Sequence, residues 1–435
     1  MYTIKKTVIL LLMASLTTTV MAQSGTNSPY SQYGLGELTE QSTGFNRGMN
    51  GVGLGFREHN QVNFLNPASY SAVDSLSFIF DMGAAGQITN FEENGKKLNA
   101  NNADLEYVTA LFRVARHFGV SFGLMPFTNV GYNYSGSAFV GDRIESATTY
   151  TNTYSGSGGL HQVYVGAGWE PIKGLSIGAN IAYLWGNIDR TITNSYSDSY
   201  VNTLSKYYST SVKNYKLDVG VQYELKLSKN DRVNLGVTYG LGHKLDADPE
   251  CKIISRNSQT SVSDTATYTI SNGLEIPASY GVGLMWNHKN KWRIGVDYTL
   301  QKWAEVSYPV YDVVGDVPQY TMVSDLFKDR HKINIGGEYV ANEDGRKFLG
   351  RLRYRFGVGY ATPYLRINGM DGPKEYSVSA GIGIPIMNSY NNRSQLNISG
   401  QWVRREANSL ITENSFRLNI GLTFNERWFA KWKMR

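Results

Sequence analysis

Four glycines fall within eight positions, Gly48, Gly51, Gly53 and Gly55, and glycine clusters of that density can cradle a phosphate. Their spacing is G-x-x-G-x-G-x-G, preceded by TEQSTGFNR, which has no strand pattern. A dinucleotide loop needs G-x-G-x-x-G between a strand and a helix, because phosphates are held by a helix N-terminus. No G-x-x-x-x-G-K-[ST] occurs, so nucleotide chemistry is excluded. Histidines at 59, 117, 161, 243, 288 and 331 are scattered, without the H-E-x-x-H pairing of a zinc site. No G-x-S-x-G supplies a nucleophile elbow. The acidic run DADPE, 246–250, lacks the ligand spacing and glycine of an EF-hand and reads as a solvated loop. Cys251 is the single cysteine and cannot close an internal disulfide. The reading is a non-enzyme with no catalytic residue, metal or cofactor.

The elements that position the remaining polar residues come next. Lys5 and Lys6 precede an apolar run, Val8 to Leu16, and Val20-Met21-Ala22 is a small-x-small cleavage site. Residues 1–22 are thus expected to be a cleaved signal peptide. No cysteine follows the site, so no lipoprotein anchor is expected. That segment holds two lysines and no acid, so cleavage lowers the formal charge from +6 to +4. Such a balance does not make a nucleic-acid footprint.

From about residue 75 the pattern has period two. Ile177, Ala179, Ile181, Tyr183 and Trp185 alternate with Ser176, Gly178, Asn180, Ala182 and Leu184. The same rhythm runs through 216–225, 293–300 and 351–360. One face of each run is apolar, the other polar. Each run lasts about ten residues, the length a tilted strand needs to cross a bilayer. Aromatics near the ends, among them Tyr183, Trp185, Tyr360, Trp402 and Phe424, suit interfacial girdles. Similar runs begin near 75, 103, 117, 158, 231, 278, 331, 374, 394 and 414. A stretch at 143–155 holds Thr, Tyr and Ser without an apolar face and reads as a loop excursion.

The fold class expected is all-β: a transmembrane antiparallel β-barrel of about 14 strands over 75–424. Tight turns face the periplasm and long loops, 190–210, 245–273 and 305–329, face outward. Glycine, asparagine and serine fill the polar face, with isolated charges. Arg351, Arg353 and Arg355 could pair there with Asp218, Asp297 or Glu338. Residues 23–74 lack alternation and are rich in Gly and Asn, which suits a plug inside the lumen. After Phe424 the chain continues as a tail, 425–435, where Trp428, Phe429 and Trp432 share one helical face for interfacial anchoring or partner docking.

Gly48, Gly51 and Gly53, then Asn66-Pro67-Ala68, ahead of about fourteen strands, resemble the FadL/OMPP1/TodX family of outer-membrane transport proteins. The opening NSPYSQYGLGEL is similar to mature N-termini of Bacteroidota members. The resemblance implies an outer-membrane barrel whose N-terminal hatch includes Asn66, Pro67 and Ala68. It also implies passage of hydrophobic compounds to a lateral opening where the third strand is kinked. FGVSFGLMPFTNVGYNY has Pro126 at the corresponding place; proline breaks a strand ladder, so it marks either such an opening or the start of the external loop. Family branches in Bacteroidota serve as accessory barrels in secretion and barrel-insertion machinery, so a non-transporting subunit is the alternative. Partners expected are the bilayer with its lipopolysaccharide, a hydrophobic small molecule and other outer-membrane proteins.

Overall fold

In the computed structural model, the described residues are 25–140, 148–343, 345–387 and 393–427. The expected signal peptide and the tail residues Trp428, Phe429 and Trp432 lie outside them. Fourteen strands run antiparallel in chain order: β1 (Ser77–Glu93), β2 (Lys96–Ala115), β3 (Phe118–Phe139), β4 (Thr149–Ile172), β5 (Leu175–Tyr196), β6 (Thr203–Lys226), β7 (Asp231–Gly240), β8 (Ser279–His288), β9 (Trp292–Gln301), β10 (Arg330–Tyr339), β11 (Arg353–Ala361), β12 (Lys374–Met387), β13 (Arg393–Glu406) and β14 (Thr412–Arg427). Each pairs with the next, and β1 pairs with β14 from Ser77↔Arg427 to Glu92↔Thr412, which closes the sheet into a barrel. Closure leaves no lipid-exposed edge except where a seam is interrupted.

Alternation sets the faces. On β9, Ile294, Val296 and Tyr298 point outward and are exposed, whereas Arg293 and Asp297 are buried. That is the arrangement of a barrel with lipid outside and a polar lumen. No helix among the described residues is long and apolar enough to cross a membrane.

Two stretches differ from the sequence reading. Residues 149–155, expected as part of a loop, begin β4. The ends of β5 and β6 likewise take up most of 190–210. These strand ends pair as a polar hairpin wall, Thr191↔Tyr207 among them. A two-faced polar strand has no alternation to betray it. Beyond β7, the 245–273 region adds Glu250–Arg256 to the edge of β6 and then Ser263–Thr269 to itself. The 305–329 region forms the hairpin Tyr308–Val314 with Val317–Val323.

Residues 25–74 lie inside the closed sheet and supply part of every apolar cluster. Phe45, Met49, Val52 and Phe56 pack with Met285. Val62, Phe64, Tyr70 and Val73 pack with Ile79, Leu111 and Tyr164. Tyr30 and Leu35 join Leu245, Leu274, Ile276, Trp303 and Phe327 under the long loops.

Candidate functional site

The N-terminal segment follows the wall as a shallow spiral, and glycines mark its track. A Cβ at Gly168 or Gly178 would overlap Pro67, one at Gly220 would overlap Asn66, and one at Gly236 the Leu54 carbonyl. Further round, Gly336 and Gly357 face Met49, Gly381 faces Gly48, and Gly421 faces Gly44. These wall glycines let backbone touch backbone, which any side chain would prevent. Within the segment, Gly51 has φ +77°, a conformation glycine adopts without strain. Gly48 ends the short helix Gly44–Arg47 and faces the Arg355 side chain. Gly53 sits where a Cβ would press on Asn46 and Leu65.

Asn66, Pro67 and Ala68 lie against β4, β5 and β6. Asn66 Oδ1 accepts from the Ala68 N–H at 3.1 Å, capping the turn Pro67–Ala72. Its Nδ2 donates to the carbonyls of Leu54 at 2.9 Å and Val221 at 3.2 Å. Segment and wall thereby share one side chain, as buried polar groups require.

Charges complete the lumen. Glu338 is wholly buried; its Oε1 accepts from Arg293 at 2.6 Å and Arg353 at 2.7 Å, and its Oε2 from Arg355 at 2.7 Å. Arg293 also reaches Glu58 of the N-terminal segment at 2.8 Å. Among the described residues Asp297 pairs with no arginine: its Oδ2 accepts the N–H groups of Gly53 at 2.7 Å and Leu54 at 2.9 Å. Asp218 pairs with Lys216 on its own strand. Arg351 is not on the luminal face of β11. It ends the short helix Phe348–Arg351 before that strand, because the chain has not yet entered the sheet. So Arg353 and Arg355 converge on Glu338, while Asp218, Asp297 and Arg351 lie apart.

A second polar chamber escaped sequence reading. Its volume is about 220 Å³, and its lining includes Glu37, Glu40, Asp104, Glu106, Arg330, Lys332, Glu375, Arg405 and Arg417. Arg405 binds Glu37 at 2.6 Å and Glu375 at 3.0 Å; Arg47 binds Glu106 at 2.8 Å; Lys332 lies 3.5 Å from Glu40. Burial pushes the Glu40 carboxyl up, but Lys332, then Arg47 and Arg417, outweigh it and hold it below its ordinary 4.5. No local motif announces this set. The only signal is charge on inward positions of distant strands.

Pro126 lies within β3, where the register against β4 shifts between Pro126 and Thr128 and bulges Phe127. The strand continues to Phe139, so proline does not begin a loop here. β2 and β3 pair only from Val108↔Leu124 to Ala115↔Phe118. Above that point Met125, Thr128 and Val130 are buried as β3 bends inward. Glu37 and Leu38 pair with Asn129 and Thr128 on its freed edge, and the Thr39 N–H donates to Phe127 O at 3.2 Å. The chamber opens to this gap, since Asp104 and Glu106 of β2 and Phe127 and Asn129 of β3 line it.

The barrel is similar to solved transport channels. The toluene transporter TbuX of Ralstonia pickettii matches at 15% identity, TM-score 0.62, covering 89% of this chain and 99% of that one. The toluene transporter TodX of P. putida matches at 14% identity, TM-score 0.60, covering 90% and 100%. A Pseudomonas aeruginosa FadL homologue matches at 10% identity, TM-score 0.62, covering 89% and 99%. At such identities the likeness establishes the FadL-type fold. No curated protein matches the chain. A family model described as BamG matches residues 3–435.

Proposed function

The chain belongs to the BamG family, and from that premise we propose that it is a plugged outer-membrane barrel serving as a non-transporting accessory subunit of a protein assembly or secretion complex. One observation carries this reading. The chamber beside the β2–β3 gap carries carboxylates, guanidinium groups and an ammonium beside Leu38, Leu54, Leu65, Phe127 and Val403, and residues 25–74 pack into every apolar cluster within the barrel. An apolar solute that left lipid for this chamber would lie beside buried ion pairs, a less favourable surrounding than hydrocarbon. Residues 25–74 act as the plug, with Gly48, Gly51, Gly53, Asn66, Pro67 and Ala68 seating it against the wall. Residues 1–22 direct export and are removed. The tail residues Trp428, Phe429 and Trp432 anchor the periplasmic end.

A second reading is favoured by the bulge at Pro126: transport of a hydrophobic compound with lateral exit at β3, the activity named for the toluene channels of this fold. Gentle detergent extraction followed by protein, lipid and small-molecule mass spectrometry separates the two. Stoichiometric outer-membrane proteins or lipoproteins are expected. An apolar compound bound to a barrel without protein partners would overturn the accessory reading in favour of transport.

A further inference from the structure

Each described turn at the periplasmic end of the barrel sets an exposed apolar side chain beside an exposed cation. Between β2 and β3 these are Val114 and Arg116; between β4 and β5, Ile172 and Lys173; between β6 and β7, Leu227 and Lys229. Trp292 follows Lys289 and Lys291 between β8 and β9, and Phe348 and Leu349 follow Arg346 and Lys347 between β10 and β11. The outer turns carry the opposite sign. Tyr200 and Val201 lie beside Asp198, Val313, Val314 and Val317 beside Asp312 and Asp316, and Met370 beside Asp371. Between β1 and β2, Glu92 and Glu93 oppose Lys97 and Lys96, which leaves that turn neutral.

The periplasmic cations are available for a ligand. Carboxylates of the same turns are already engaged: Glu170 by Arg57, Asp231 by His288 and Glu343 by Arg353. Among the described residues Lys229, Lys289 and Lys291 have no ion-pair partner.

Three of these turns form one continuous rim. The Lys289 N–H donates to Asn230 O at 2.7 Å, and the Val340 N–H donates to Lys291 O at 2.9 Å. Aromatic rings mark the strand ends just above. Trp292 opens β9 and Tyr339 closes β10, with their ring centroids 4.3 Å apart. The Tyr354 hydroxyl of β11 donates to Leu349 O at 3.2 Å and joins the girdle to the next turn. Tryptophan and tyrosine at strand ends belong at the headgroup level. A cation beside an apolar side chain at that level puts its charge among phosphates and the apolar group among acyl chains.

We propose that the periplasmic rim from β6 to β11 binds acidic phospholipids of the inner leaflet. Lys229, Lys289 and Lys291 meet the phosphate groups, and Trp292, Phe348 and Leu349 rest at the acyl boundary. Basic clusters at a membrane surface hold anionic headgroups in this way. The site stands whether the barrel transports a compound or serves other proteins, because it uses only the outer surface of the turns.

The test takes the folded full chain in mild detergent with equimolar phosphatidylglycerol and phosphatidylcholine of the same acyl chains. Native mass spectrometry counts the lipids retained, and heat-modifiable migration verifies that each variant is folded. Phosphatidylglycerol is expected to predominate. Lys289→Gln and Lys291→Gln should lower that preference roughly five-fold for each cation removed, and Lys252→Gln at the outer end should leave it unchanged. Equal retention of the two lipids by the parent chain, or equal loss in the Lys252 variant, overturns the site. Displacement of the lipid by inorganic phosphate would assign the cations to a free anion instead. If the double variant keeps its lipid preference but loses a co-purifying protein, the rim is a protein surface and the lipid site is wrong.

Discussion

Glu338 balances three guanidinium groups with one carboxylate, and Arg293 connects that cluster to Glu58 of the N-terminal segment. Removing one partner of a buried ion pair leaves an uncompensated charge, at a cost of about 3–5 kcal/mol. Glu338→Gln should lower the temperature at which the folded band is lost in heat-modifiability gels by far more than Asp218→Asn does. Equal shifts would mean that the triple arginine contact contributes no more than a luminal pair on one strand. Glu40 adds a pH dependence. Its carboxyl is held below its ordinary 4.5, so its contribution is fully present above that value and is lost as pH falls through the lower folded value. The groups acting on it are Lys332, Arg47 and Arg417, opposed by Glu375. Protease cleavage within residues 25–74 should therefore increase on acidification below pH 4.5, and Glu40→Gln should flatten that response. Unchanged acid sensitivity in the variant would remove Glu40 from the account.

Strands were the most legible elements, because period-two alternation survives wherever one face meets lipid. It put Val296 outward and Thr299 inward, where Val296 is 42% exposed and Thr299 lines the polar chamber. Val296→Arg should cost about 2–4 kcal/mol near mid-membrane, measured by urea unfolding in lipid vesicles, and Thr299→Arg distinctly less. Equal costs would mean the two faces are misassigned. The strand ends beyond the membrane, such as Thr149–Ser155, were illegible for the same reason that the membrane spans were legible: water on both faces removes the alternation. Alternation also could not say which carboxylate a guanidinium meets. Arg353 and Arg355 share a face with Asp297 in any register, and only strand order brings them to Glu338. Nor could it expose Arg405, Glu37 and Glu375 as one cluster, since they are drawn together from a barrel wall and a segment hundreds of residues away.

At the scale of the whole molecule, barrel and N-terminal segment are one packed body. Deleting 44–70 removes the residues seated on the wall from β3, where Gly119 meets Tyr70, round to β14, where Gly421 meets Gly44, and leaves the strand ladder intact. The shortened chain should still insert and should pass small solutes in a liposome-swelling assay. A closed deletion variant would show that the lumen is sealed by other residues. A Cβ on the wall acts differently, because Gly236→Val drives carbons into the Leu54 carbonyl, whereas Gly86→Ala meets open space. Proteolysis of the N-terminal segment should rise sharply in the first variant and stay unchanged in the second.

The glycine track also bears on how the molecule is made. Residues 25–74 precede every strand in the chain, so they leave the ribosome and the secretion channel before β1. Their backbone touches the wall from Gly119 round to Gly421, and at Gly168, Gly178, Gly236, Gly336 and Gly357 the contact is backbone on backbone. A thread that tight does not slide into a finished cylinder. Where the segment is present, the strands close around it, so thread and sheet must come together before the cylinder is complete. Bulk at a track glycine is then an obstacle to closing the cylinder, and its cost is read in the yield and rate of assembly before it is read in the stability of what has been assembled.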